Sequence, residues 1–195
     1  MEPVMTPRIL AFSGSLRRNS WNQKLVEIAA QGARDAGAEV TLIHLADYPL
    51  PVYNEDLEAE DGLPSQATEL KDLFRAHQGL LIASPEYNSS VTAALKNTID
   101  WISRPQEDCP PLDCYDGKIA GLMATSPGAL GGLRGLGPIR SILGNIKVTV
   151  LPRQVALPRC HEALAVPGRI TPDALHEQVL LVGAEVAEAA RRMHL

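Results

Sequence analysis

Short apolar runs of strand length alternate along this chain with stretches whose apolar positions recur every three or four residues. Ile9 to Ser13 reads as a first strand. Ser20 to Ala36 reads as a helix with Leu25, Ile28, Ala29 and Ala33 on one face. Ser20 and Gln23 stand at capping-box spacing, and Gly37 sits where a C′ residue belongs. Glu39 to His44 is a second strand, followed by an irregular, acidic, proline-bearing stretch from Tyr48 to Pro64. A weaker helical pattern runs from Ser65 to His77. Gly79 to Ser84 is continuously apolar, as a parallel strand buried on both faces should be. A third helix begins near Ser90 and aligns Val91, Leu95, Thr98 and Ile102. Arg104 to Gly117 is a proline-bearing loop, and Ile119 to Ala124 is a fourth strand. The glycine-rich turn Ser126 to Gly132 leads into a helix through Leu143, and Lys147 to Val155 is a fifth strand. A last helix, Thr171 to Met193, aligns Leu175, Val179, Val182 and Val186.

Five strands alternating with helices predict an open, mostly parallel sheet covered on both faces, with right-handed crossovers. In such sheets ligands sit beyond the carboxyl ends of the strands. The loops richest in small and polar residues follow strands one, three and four, so all three fall on the same edge.

The first of these loops is Ser13-Gly14-Ser15-Leu16-Arg17-Arg18-Asn19-Ser20-Trp21-Asn22. The N–H groups of a helix start have no intrahelical partner, and the dipole there favours an anion. Ser13, Ser15, Ser20 and Asn22 can add hydrogen bonds, and Arg17 or Arg18 can neutralise charge. The segment is neither Gly-x-x-x-x-Gly-Lys-Ser/Thr nor Gly-x-Gly-x-x-Gly. The plainer alternative is that Ser20 only caps a helix and the arginines are solvated. The second loop is Ser84-Pro85-Glu86-Tyr87-Asn88-Ser89-Ser90. Pro85 fixes a backbone dihedral and keeps Ser84 extended. Tyr87 and Asn88 can stack on or hydrogen-bond a flat polar heterocycle, and Glu86 could be a general base. The alternative is an ordinary strand-to-helix turn with Ser90 as N-cap. The glycines of Ser126 to Gly132 allow the backbone to approach a ligand closely.

Composition narrows the class. At 195 residues, with 45% hydrophobic and 21% charged positions, the chain is expected to form one domain, residues 1–195, around a substantial core. A net charge of −5 argues against a nucleic-acid surface, and no apolar run is long enough to span a membrane. The N-terminus, Met1 to Pro7, reads as neither a basic n-region nor a signal h-region. Three cysteines without repeated spacing suggest a reducing, cytoplasmic compartment.

The other chemistry-bearing residues are weaker candidates. Cys109, Cys114, Cys160 and His161 would have to converge to hold zinc. His44, His77, His176 and His194 stand at element ends and read as surface residues. Trp101 reads as a packing or interface residue. No Gly-x-Ser-x-Gly nucleophile is present.

Taken together, three segments resemble the NADPH-dependent FMN reductase family, the flavodoxin-like group that includes chromate, quinone and azo-dye reductases. They are Gly14-Ser15-Leu16-Arg17 with Ser20 and Asn22, Pro85-Glu86-Tyr87-Asn88 with Ser90 and Leu95-Lys96-Asn97 running to Asp100-Trp101, and Ser126-Pro127-Gly128 with Gly131-Gly132. The resemblance spans residues 8 to 155. It implies a flavodoxin-like three-layer α/β sandwich with strand order 2-1-3-4-5, and FMN as resident cofactor. NADPH or NADH would be the electron donor. The partners implied are a small-molecule acceptor and a homodimer or homotetramer, with the flavin near a subunit interface. Ser15, Arg17, Ser20 and Asn22 would hold the phosphate, Pro85 to Asn88 would line the ring, and Ser126 and Gly128 would border its other side. Ser13 belongs to the same cofactor-binding set, and Tyr87 is a ring neighbour with possible catalytic work. Asn88-Ser89-Ser90 and the insert Pro105 to Pro111 depart from the family pattern. Electron carriage without NAD(P)H turnover, or a regulatory flavin-binding role, is the competing reading.

Overall fold

The computed structural model describes residues 5–107 and 109–193. Its centre is a five-stranded parallel sheet of β1 (Arg8–Ser13), β2 (Glu39–Leu42), β3 (Gly79–Ala83), β4 (Ile119–Thr125) and β5 (Thr149–Leu157), in the order β2-β1-β3-β4-β5. The three inner strands are buried almost throughout. Strand alternation divides their side chains between two cores. Ile9 and Ala11 point under α1 (Trp21–Asp35) and the terminal helix, together with Leu25, Ala29, Val182 and Val186. Leu10 and Phe12 point to the opposite side, together with Phe74, Ile82, Leu95, Ile99 and Ile139. The remaining helices are α2 (Glu55–Asp61), α3 (Ser65–Ala76), α4 (Ala93–Ile102), α5 (Leu133–Asn145), α6 (Cys160–Ala163) and α7 (Asp173–Met193). β5 is an edge strand, which lets Pro152 sit where the β4–β5 register shifts between Ala120 and Leu122. Among the described residues no helix is long and apolar enough to cross a membrane.

The sequence signals at α1 operate as expected, with one difference. Ser20 accepts from the Gln23 N–H, but the Gln23 side chain donates to the Ile43 carbonyl instead of returning to Ser20. At the far end Gly37, at φ +83°, closes a Schellman motif through Gly37 N–H to Arg34 O and Ala38 N–H to Ala33 O.

Three expectations are corrected. The stretch from Tyr48 to Pro64 is not wholly irregular, because α2 lies within it, capped by Asn54 and ended by Gly62. None of its residues is buried, so it carries no apolar period to read. The third helix starts at Ala93 with Thr92 as N-cap, not at Ser90. Ser90 instead pairs with Tyr87 across a tight turn whose central residues, Asn88 and Ser89, both have positive φ. His77 is not a surface residue. It is 6% exposed, with Nδ1 on the Leu73 carbonyl and Nε2 on the Thr41 hydroxyl. Burial lowers its pKa below the ordinary imidazole value. His44 is exposed, and His194 lies outside the described residues.

Trp101 is fully buried, donates to the Pro51 carbonyl and packs edge-on against Tyr53, so it serves packing. The three cysteines are free and buried. Cys109 and Cys114 face each other with sulfurs 4.0 Å apart, and burial pushes the Cys114 thiol up to about 11. Among the described residues no three His, Cys, Asp or Glu side chains converge as a metal site would require.

α1 and α7 meet backbone to backbone. A Cβ on Gly183 would stand 1.8 Å from the Ala29 carbonyl oxygen, and one on Gly32 would stand 2.0 Å from that of Leu180. The gain of about 1 kcal/mol that alanine brings to a helix interior is therefore outweighed by the forced separation of two packed helices. Gly183→Ala is expected to destabilise the protein by about 3 kcal/mol, read as a fall in the urea midpoint at unchanged m-value. Acid should act through His77. Its native pKa is depressed, so below the unfolded value of about 6.5 the unfolded chain binds a proton that the native state refuses, and stability falls as pH drops. His77→Gln is expected to flatten that fall in urea midpoints compared at pH 7.5 and 5.5.

Candidate active site

The carboxyl ends of β1, β3 and β4 open into one cleft. Ser15, Arg17, Ser20, Trp21 and Asn22 line it from the first loop and α1, Pro85, Glu86 and Tyr87 from the second loop, and Thr125, Ser126 and Pro127 from the third. A larger hollow of about 310 Å³ lies beside it, between Leu16, Leu45, Leu50 and Ala94. Hydroxyls, free helix N–H groups and a guanidinium converge in the smaller cleft, so the smaller cleft has the features of a ligand site.

The first loop is shaped by its own hydroxyls. Buried Ser13 accepts from the Ser15 N–H, and Ser15 accepts from the Arg17 N–H, each at 3.2 Å. Ser20 caps Gln23, which leaves the N–H groups of Trp21 and Asn22 as first-turn donors without intrahelical acceptors. Arg17 and Arg18 are exposed and form no ion pair among the described residues. A phosphate-sized anion therefore fits here, by charge and by donor geometry.

The loops are joined by side chains that bond to backbone. Thr92 donates to the Gly14 carbonyl at 2.6 Å and accepts from the Leu95 N–H, which joins the first loop to the second. Gly14 permits that approach, since a Cβ there would lie 2.9 Å from the Leu95 Cβ. Asn22 donates to the Thr125 carbonyl and accepts from the Thr125 N–H, both at 3.0 Å, which joins the first loop to the third. The Thr125 hydroxyl continues to the Leu157 carbonyl at 2.7 Å.

Not every residue singled out in the sequence faces the cleft freely. Ser13 is buried beneath the first loop, and the Asn22 amide is engaged with Thr125. Both oxygens of Glu86 are engaged by α5, through the N–H groups of Arg134 and Gly135 and the Arg134 guanidinium at 2.7 Å. That arrangement argues against Glu86 as a general base. Tyr87 is 56% exposed at the cleft mouth, and Asn88 stands at the tip of its turn, outside the cleft lining. In the third loop Gly131 and Gly132 serve chain packing, because a Cβ on Gly131 would stand 2.5 Å from the Leu157 carbonyl carbon. A Cβ on Gly128 would meet only the Ser126 hydroxyl, at 3.8 Å, so a side chain would fit there, and Gly128 lies outside the cleft lining. Trp21, Thr92, Thr125 and Arg134 were missed by the sequence reading. Only Thr92, three residues before Leu95, carried a recognisable capping signal.

Comparison with known proteins agrees with this geometry. The family model for NADPH-dependent FMN reductase matches residues 7–162. A probable NADPH:quinone oxidoreductase of rice is 36% identical over 135 residues, 69% of this chain but only 63% of that protein. An NAD(P)H-dependent FMN reductase of Pseudomonas aeruginosa is 34% identical over 173 residues, covering 88% of this chain and 89% of that protein. The structure of a flavoenzyme NAD(P)H:acceptor oxidoreductase from Paracoccus denitrificans superposes with a TM-score of 0.80 at 27% identity, covering 96% of this chain and 98% of the other. With the cleft and the strand order in place, the chain belongs to the NADPH-dependent FMN reductase family of oxidoreductases.

Proposed function

We propose that the cleft holds FMN and that the protein uses NADPH or NADH to reduce a small acceptor: a quinone, free flavin, an azo compound or a metal ion. The observation that carries this reading is the convergence in one cleft of the Ser15 and Ser20 side chains, the Arg17 guanidinium and the first turn of α1 with Pro85 to Tyr87 on the same sheet edge. Bound FMN would supply the hydride-accepting ring, which donor and acceptor would meet in turn. The rest is positioning. Ser15 and Ser20 hydroxyls, the Trp21 and Asn22 N–H groups and the Arg17 guanidinium hold the phosphate. Pro85 and Tyr87 support the ring, with Asn88 at its rim, and Ser126 and Gly128 border the other side. Ser13, Asn22 and Glu86 shape the loops that carry these groups.

A homodimer or homotetramer belongs to the same reading. Leu16, Tyr87, Leu130 and Leu133, each about half exposed, surround the cleft loops and would be covered by a second copy. Three free, buried cysteines fit a reducing cytoplasm.

The purified protein is expected to be yellow, or to become so on mixing with micromolar FMN, and to bleach rapidly under NADPH or NADH without oxygen. A colourless protein that takes up no FMN would remove the reading. Arg17→Ala is expected to weaken FMN binding by about 1.5–3 kcal/mol, measured by flavin fluorescence titration. Asn22→Ala leaves the buried Thr125 N–H and carbonyl without their partner. It is expected to lower folding stability by about 2–3 kcal/mol, read from urea midpoints of the flavin-free protein.

A further inference from the structure

α5 begins without a cap of its own. Its N-cap residue, Gly132, has no side chain and lies at φ +84°. The capping group is imported from another loop. The Glu86 carboxylate accepts from the Arg134 N–H at 3.0 Å and shares the Gly135 N–H, at 3.3 Å, with the Gly132 carbonyl at 3.1 Å, and the Arg134 guanidinium adds hydrogen bonds to it. The Glu86 side chain is only 10% exposed. Gly135 makes room for the approach, since a Cβ there would already stand 3.4 Å from the Glu86 Cβ and 3.3 Å from the Ser90 carbonyl oxygen. A carboxylate on first-turn N–H groups also offsets the positive end of the helix dipole. Glu86 lies between Pro85 and Tyr87, so the same bonds that cap α5 fix the platform of the second loop against the element that leaves the third.

The geometry points to Glu86 as a positioning residue that locks the Pro85–Tyr87 platform onto α5 and thereby sets flavin affinity, instead of a carrier of protons in the reaction. This rests on the reading of the cleft as an FMN site. Truncation to Glu86→Ala frees the platform and exposes the first turn of α5. Glu86→Gln keeps an acceptor for the backbone N–H groups and restores the brace. Arg134→Ala leaves both backbone bonds in place.

The test measures three quantities in the wild type and these variants: the FMN dissociation constant by fluorescence quenching, the rate of NADPH bleaching, and hydrogen exchange of the Arg134 and Gly135 amides in the flavin-free protein. Glu86→Ala is expected to raise the dissociation constant about tenfold, the scale of one charge-assisted hydrogen bond. It should speed exchange at Arg134 by a similar factor, and less at Gly135, whose N–H keeps the Gly132 carbonyl, while Ile142, at the far end of α5, is unchanged. Glu86→Gln should stay within about threefold of wild type in affinity and bleaching rate. An unchanged dissociation constant in Glu86→Ala overturns the proposal. So does a Glu86→Gln protein that binds FMN normally but bleaches about a hundredfold more slowly, because that pattern belongs to a proton carrier. If Glu86→Ala does not fold, Arg134→Ala decides through exchange: a protected backbone amide at position 134 supports the imported cap, and one exchanging as fast as an exposed amide rejects it. A wild type that binds no FMN defeats the cleft reading, while the exchange measurement still decides whether the brace exists.

Discussion

One asparagine holds the working edge of this molecule together. Asn22 satisfies both backbone groups of Thr125 with one carboxamide, across 103 positions of sequence. It stands on the first turn of α1, and Thr125 is the last residue of β4, where the third loop begins. The spacing between the start of α1 and the third loop is thus held by two buried hydrogen bonds. Buried backbone groups must be paired somewhere, so the alternative to this clasp is not a looser loop but two unsatisfied polar groups.

Around that clasp the other loops are tied by the same device, a side chain spanning to foreign backbone. Thr92 reaches Gly14, Thr125 reaches Leu157, and Glu86 reaches the start of α5. A parallel sheet places three independent chain reversals side by side, and nothing in the sheet ladder fixes their mutual spacing beyond the strand ends. Each cross-tie supplies a missing constraint. Glycines permit the approach at Gly14 and Gly135, where a Cβ would crowd the neighbouring loop. The same logic operates along α1, where Gly32 and Gly183 let α1 and α7 touch through their backbones.

Charge follows function within this frame. The chain carries a net charge of −5, yet Arg17 and Arg18 stand exposed in the first loop without a carboxylate partner among the described residues. Arg134, beside the second loop, is by contrast paired with Glu86. Unpaired positive charge therefore lies on the first-loop side of the cleft, while that of Arg134 is offset.

The sequence by itself determined the five strands and their order of appearance, the helix start at Ser20 with its glycine stop at Gly37, and the three loops that share an edge. Those are local properties: apolar period, caps and turn residues all act within a few positions. It did not reveal α2, whose residues face solvent and so leave no periodic trace, or the true start of α4, because Ser90 and Thr92 are both plausible caps until the turn at Asn88 and Ser89 is seen. Residue type alone placed Asn22 and Glu86 among the groups facing a ligand. Only the tertiary structure decided that their polar atoms are spent on Thr125 and on α5, because the partners lie 103 and 48 positions away and a hydrogen bond across such a separation has no signature in sequence spacing.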